Sequence, residues 1–187
     1  MSGLYVSAED SALLRKALKR YSGGLALEIG AGNGGGLLAL SGRFETVVGT
    51  DIAPPHMSDW RGAGADYLLA DAASCVRERS FDLVAFNPPY LKEETGDPAT
   101  EGGRSLEVPL RFLRDALRVV GDGGRVVMLL NGDAEIGPFE AECAMRGFGL
   151  VKVDSEHLFF EELSVYEASA SGRRDGGGPR DGAEGLR

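Results

Sequence analysis

Histidine and cysteine are scarce in this chain, with two of each among 187 residues. Cys75 and Cys143 stand far apart without CxxC or CxxH spacing, so the chain alone does not assemble a zinc site. Both thiols are expected to be free and buried, in a reducing compartment. His56 and His157 leave little material for histidine-dependent metal or triad chemistry. Long apolar runs are also missing: none approaches the roughly 20 residues that span a bilayer. The opening MSGLYVSAEDSALL has no basic segment leading into an apolar core, so neither a secretory signal nor a membrane association is expected, and the cytoplasm fits. Positive charge is in short supply. Lys and Arg number 20 against 29 Asp and Glu, a formal net charge of −9. Phosphate neutralisation dominates nucleic-acid affinity, so a chain this acidic is not expected to grip nucleic acid without a partner.

What is present fits one domain with a real core: 43% of residues are hydrophobic, ordinary for a globular protein of this length. Ser7 to Tyr21 predicts a helix, with Ser7 as cap and Leu13, Leu14, Ala17 and Leu18 at helical spacing. Strands are expected at 25–29, 46–50, 67–70, 81–86 and 125–130. Helices are expected at 37–40, at 106–120 with Pro109 in the first turn, and at 137–146. Two final strands, 148–153 and 159–166, suggest an antiparallel hairpin. This alternation implies a mostly parallel sheet covered by helices on both faces, with ligands at the carboxyl ends of the strands. The domain is expected to end at 167. Residues 168–187, rich in Gly and Arg without periodicity, read as a disordered tail.

Four strand ends carry the chemistry. The first runs into Glu28-Ile29-Gly30-Ala31-Gly32-Asn33-Gly34-Gly35-Gly36, a turn whose missing side chains let a ligand approach the backbone. Asp51 ends the second strand, placed to accept hydrogen bonds from ribose hydroxyls. Strand, glycine turn, helix and an acid about 20 residues on favour a nucleoside site over a plain tight turn. Gly30, Gly32 and Gly35 also satisfy GxGxxG. A charge at Glu28, a single short domain and the absence of a hydride-transfer site at the fourth strand argue against a nicotinamide enzyme. Glu28 suits a sulfonium cofactor by adding negative potential, and equally suits a brace for the loop. Asp71 ends the third strand, as an acceptor for an adenine amine or as the cap of a helix starting near Ala73.

The fourth strand runs straight into Asn87-Pro88-Pro89-Tyr90. Two prolines fix φ near −65° and offer carbonyls without N–H groups. With the Asn87 side-chain carbonyl they match the two hydrogens of a planar –NH2, on which Tyr90 can stack. Such a nitrogen is a weak nucleophile. The site must orient it and polarise its N–H bonds, and positioning alone can supply on the order of 7–11 kcal/mol. The alternative is an ordinary Asn-Pro turn.

These segments resemble the HemK-type protein glutamine methyltransferases, in the eukaryotic and archaeal branch without an N-terminal helical domain. The likeness spans roughly Tyr5 to Ala168. Tyr5-Val6-Ser7-Ala8-Glu9-Asp10-Ser11-Ala12-Leu13-Leu14 is similar to the branch's Y-x-P-x-E-D-[ST]-x-L-L opening. Leu27 to Gly32 and Asp51 match its cofactor motifs, Asn87-Pro88-Pro89-Tyr90 its substrate loop, and Glu101-Gly102-Gly103-Arg104 with Glu107 and Val108 the Gly-Gly segment after it. Ser7 in place of Pro and the long glycine run at 34–36 depart from the pattern, and the segment between Tyr90 and Gly102 is short and charged. The resemblance implies a Rossmann-like class I methyltransferase fold, with a seven-stranded, mostly parallel sheet and an antiparallel C-terminal strand, and S-adenosylmethionine as cofactor. It implies cofactor contacts at Glu28, Gly30, Ala31, Gly32, Asn33, Asp51, Ile52, Asp71, Ala72 and Asn87, with Asn87, Pro88, Pro89 and Tyr90 holding the acceptor. The implied substrate is the glutamine of the Gly-Gly-Gln loop of a translation release factor, and the implied partner a small zinc-ribbon activator in a heterodimer. Because adenine- and guanine-amine methyltransferases share Asn-Pro-Pro-Tyr, an RNA or DNA exocyclic amine stays open as acceptor. So does lysine, which some eukaryotic relatives methylate. A non-catalytic nucleoside-binding scaffold is disfavoured by intact Glu28, Asp51 and Asn-Pro-Pro-Tyr.

Overall fold

Apolar side chains on both faces of the central strands demand helices on both sides, and the computed structural model supplies them. It describes residues 8–54, 64–89, 106–132, 134–158 and 161–171. The elements run α1 (Ala8–Leu18), β1 (Gly23–Ile29), α2 (Gly35–Leu40), β2 (Phe44–Asp51), β3 (Asp66–Leu69), β4 (Phe81–Phe86), α3 (Glu107–Val119), β5 (Val120–Asn131), α4 (Gly137–Met145), β6 (Phe148–Leu158) and β7 (Glu161–Ala170). The seven strands form one sheet in the order β3-β2-β1-β4-β5-β7-β6. Neighbours from β3 to β5 are parallel, and β7 runs antiparallel to both β5 and β6. This is the seven-stranded, mostly parallel sheet with an antiparallel C-terminal strand that the resemblance implies.

Two cores flank the sheet. Leu13, Leu14, Ala17 and Leu18 of α1 and Leu37 and Leu40 of α2 pack on Ala26, Leu83, Ala85, Val127 and Leu129. Phe112, Leu113 and Ala116 of α3 and Phe139 and Cys143 of α4 pack on Leu27, Ile29, Val84, Phe86, Val126 and Met128. The period of two along β4 and β5 sends alternate residues to the two cores. On β1 the same alternation puts Glu28 on the face of Ala26, the face covered by α1 and α2. Among the described residues no helix is long and apolar enough to cross a membrane.

Several boundaries differ from those the sequence suggests. β5 starts at Val120, not Arg125, because Val120 already pairs with Phe81 before pairing resumes at Leu83 and Arg125. Gly121-Asp122-Gly123-Gly124 bulges between those pairs, so a glycine cluster that reads as a turn lies inside the strand. β7 runs to Ala170, past the expected boundary at 167. Ala168 and Ser169 pair with Val126 and Arg125 of β5, and Ala168 is fully buried. The expected boundary at 167 therefore falls inside β7, and 172–187 lie outside the described residues. Cys75 is exposed, unlike the buried Cys143, and both thiols are free. Burial pushes the Cys143 thiol up to about 11.

Candidate active site

The parallel strands open at their carboxyl ends onto a glycine turn that the backbone itself pins down. Gly30 and Ala31 donate their N–H groups to the Thr50 carbonyl at 2.8 and 2.9 Å, tying the end of β1 to β2. Gly30 sits at φ 70° and Gly32 at φ 50°, the left-handed region that favours glycine. A Cβ on Gly30 would also meet the Phe112 ring at 3.4 Å. Asn33 accepts from the Gly35 N–H through Oδ1 at 3.1 Å.

Asp51 closes β2 beside this turn. Its Oδ2 accepts from the Gly32 N–H at 2.9 Å and its Oδ1 from the Ala53 N–H at 3.0 Å. The carboxylate thus holds two loops in place, and each oxygen keeps a lone pair for a further donor. Ile52, next in the chain, is 72% exposed.

Glu28 is the unusual group. It is a buried carboxyl whose Oε2 has no hydrogen-bond partner. Burial raises its pKa from 4.5 to about 8, the Leu37 N–H and the charge of Arg15 pull it back down, and the charge of Asp51 raises it further. A carboxyl this starved of solvent favours a cation beside it.

A cavity of about 410 Å³ gathers these residues: Glu28, Gly30, Ala31, Gly32, Asn33, Gly35, Gly36 and Asn87, with Leu14 and Arg15 of α1. The volume lies within the range of small-molecule sites. Asn87 enters from the end of β4, with Nδ2 buried and unpartnered. Pro88 behind it is buried and Pro89 half-buried. Tyr90, expected to stack on the acceptor, lies outside the described residues, as do the Gly-Gly segment and Ser7.

Of the expected cofactor contacts, Asp51, Ile52, Asp71 and Ala72 do not line the cavity, although Asp51 braces its glycine turn. Asp71 Oδ2 accepts from Arg111 Nη1 at 2.6 Å, with both side chains about half exposed. That bond, more than the charge of Arg111, holds the Asp71 carboxyl below its usual range. The expected helix starting near Ala73 is not formed: residues 71–75 make turns, with Ala72 buried at φ 46°. Asp71 is therefore no helix cap, because Asp115, from α3, accepts the Ala73 N–H instead. Sequence reasoning missed Arg15 as a wall of the cavity and Arg111 as the partner of Asp71. The helical spacing of α1 shows which of its faces is buried, but not that Arg15 borders a loop from β1.

No family model matches the chain. It is 31% identical over 189 residues to a Methanocaldococcus jannaschii protein described as "Putative protein N5-glutamine methyltransferase", covering 88% of this chain and 91% of that one. The Mtq2–Trm112 complex of E. cuniculi, responsible for methylating the eRF1 translation termination factor, superposes with a TM-score of 0.69 at 28% identity. That match covers 89% of this chain and 98% of that one. At 14% identity, magnesium protoporphyrin IX methyltransferase of Synechocystis, solved with bound S-adenosylmethionine, shares the fold with a TM-score of 0.64, over 87% and 79% of the two chains.

Proposed function

The chain belongs to the S-adenosylmethionine-dependent protein N5-glutamine methyltransferases, and on that footing we propose that it methylates the glutamine side-chain amide in the Gly-Gly-Gln loop of a translation release factor. One observation carries the chemistry: Asn87, at the mouth of β4, walls the same cavity as Glu28 and the glycine turn. The residues present fit the cofactor. Gly30 and Gly32 leave backbone open to a nucleoside, and Glu28, with Oε2 partnerless, lines the same cavity and suits a cationic ligand. When bound, S-adenosylmethionine supplies an electrophilic methyl group.

The chain's own part is positional. The amide nitrogen of glutamine has a delocalised lone pair, so attack requires alignment rather than a strong base. The Asn87 side-chain carbonyl and the Pro88 carbonyl accept its two N–H bonds and grow stronger as positive charge develops on nitrogen. Buried Pro88 anchors the carbonyl in place. The proton leaves after transfer, when the nitrogen is far more acidic. Tyr90 stacks behind the amide.

The same reading includes a small zinc-ribbon partner that adds a strand to the sheet. β3 ends the sheet, and Leu68, Leu69 and Ile52 beside it are 40%, 66% and 72% exposed. An apolar edge of this kind suits strand addition. Methylation of a release factor implies work in the cytoplasm. Incubating the chain, with and without the partner, with labelled cofactor and either release factor or total RNA tests the substrate. Label in release factor at its Gly-Gly-Gln glutamine is expected. Label in RNA alone, or on lysine, overturns it. Asn87→Ala should abolish transfer and retain cofactor binding.

A further inference from the structure

The glycine run at 34–36, longer than the family pattern, has a physical reason. Gly35 lies under Arg15: a Cβ there would sit 2.9 Å from Arg15 Nη1 and 3.3 Å from its Cδ. Gly36 lies under Glu28, and a Cβ there would overlap the carboxyl group. Adjacent glycines thus make room for one cation and one anion, and both side chains line the cavity. Arg15 comes from α1 and Glu28 from β1, so the two charges are brought together only by the fold.

Arg15 is half-buried, and among the described residues its guanidinium makes no ion pair and no hydrogen bond. Six other arginines of the described residues are ion-paired: Arg20 to Asp154, Arg79 to Asp122, Arg111 to Asp71, Arg114 and Arg146 to Glu142, Arg125 to Glu167. A planar fork at a ligand cavity, gripping no carboxylate among the described residues, is suited to one that it can hold through two parallel N–H bonds. We propose that Arg15 holds the α-carboxylate of the cofactor's amino-acid arm while Glu28 takes its α-ammonium, so that the cavity reads a zwitterion. This rests on S-adenosylmethionine as cofactor.

Calorimetric binding of two neutral thioethers separates the possibilities. S-adenosylhomocysteine carries the amino-acid arm, and 5′-methylthioadenosine has the same nucleoside and sulfur without it. Arg15→Gln should weaken S-adenosylhomocysteine about 10- to 100-fold, the range of a charge-assisted hydrogen bond, and leave 5′-methylthioadenosine unchanged. Gly35→Ala, which keeps the arginine but displaces its end, should lower the same affinity selectively by a smaller factor. Lys19→Gln, a charge loss in the turn just past the end of α1 and outside the lining of the cavity, should change neither. Equal S-adenosylhomocysteine affinity in wild type and Arg15→Gln overturns the assignment. So does a parallel loss of both ligands, which would make Arg15 a brace for the cavity. A wild-type chain that binds neither ligand overturns the cofactor itself, and this inference with it.

Discussion

Replacing Glu28 with Gln should change how stability depends on pH. The carboxyl titrates near 4.5 in the unfolded chain and is raised to about 8 in the fold, chiefly by burial. Below pH 4.5 both states hold the proton and the group contributes nothing. Between 4.5 and 8 the folded state keeps the proton that the unfolded state has lost, so stability falls as pH rises. Above 8 the native carboxyl ionises too and the penalty levels off. At roughly 1.36 kcal/mol per pH unit, the full displacement sets a ceiling on the order of 4–5 kcal/mol. The glutamine variant has no such slope. It retains the acceptor for the Leu37 N–H, and its amide lies where Oε2 already lacks a partner, so its cost should be nearly constant with pH. Urea denaturation at pH 5, 7 and 9 measures the difference. The variant should gain on the wild type from pH 5 to about 8, with little further gain by pH 9. A stability difference that does not vary with pH would refute the buried-carboxyl account, as would a wild type that gains relative to the variant.

Other outcomes follow from packing and from the site. Phe139 is fully buried between α4 and the sheet, so Phe139→Ala should cost about 3–5 kcal/mol in chemical denaturation. A methyl on Gly49 of β2 would stand 2.9 Å from both the Ala31 and Leu37 side chains. Gly49→Ala should therefore destabilise by about 1–3 kcal/mol through overpacking, and by crowding Ala31 should also weaken cofactor binding in calorimetry. Asp51→Ala frees the Gly32 and Ala53 N–H groups and removes an acceptor at the nucleoside, which should weaken S-adenosylhomocysteine by roughly 1.5–3 kcal/mol. Leu69→Lys, at a side chain 66% exposed on β3, should leave the melting temperature within about a degree. Co-purification with a zinc-ribbon partner should be lost.

The sequence exposes the parts of this molecule that local pattern controls. β4 is bounded at Phe81 and Phe86 as the pattern suggests, because a dense apolar run ends at a proline pair that cannot continue a ladder. Glu28, the glycine turn and Asn87 meet at one cavity because each lies at the end of a strand, and parallel strands share one open edge. What is not legible depends on partners far along the chain. Gly121 to Gly124 looks like a turn until Phe81 and Leu83 are seen on either side of the bulge. Ala168 to Ala170 looks like tail until β5 and β6 are placed beside it. Asp71 resembles a cap, yet Arg111, 40 residues on, takes its carboxylate. Arg15 resembles a solvated helix residue until Gly35 is found beneath it.

The outer edge of β3 bears on how the chain fares after synthesis. A terminal strand that carries exposed leucines is a template on which any extended segment can pair, including that of a second unfinished or misfolded chain. Molecules produced faster than something arrives to cover that edge accumulate as aggregation seeds. With the proposed partner seated on that edge, the ratio in which the two chains are translated would bear directly on yield.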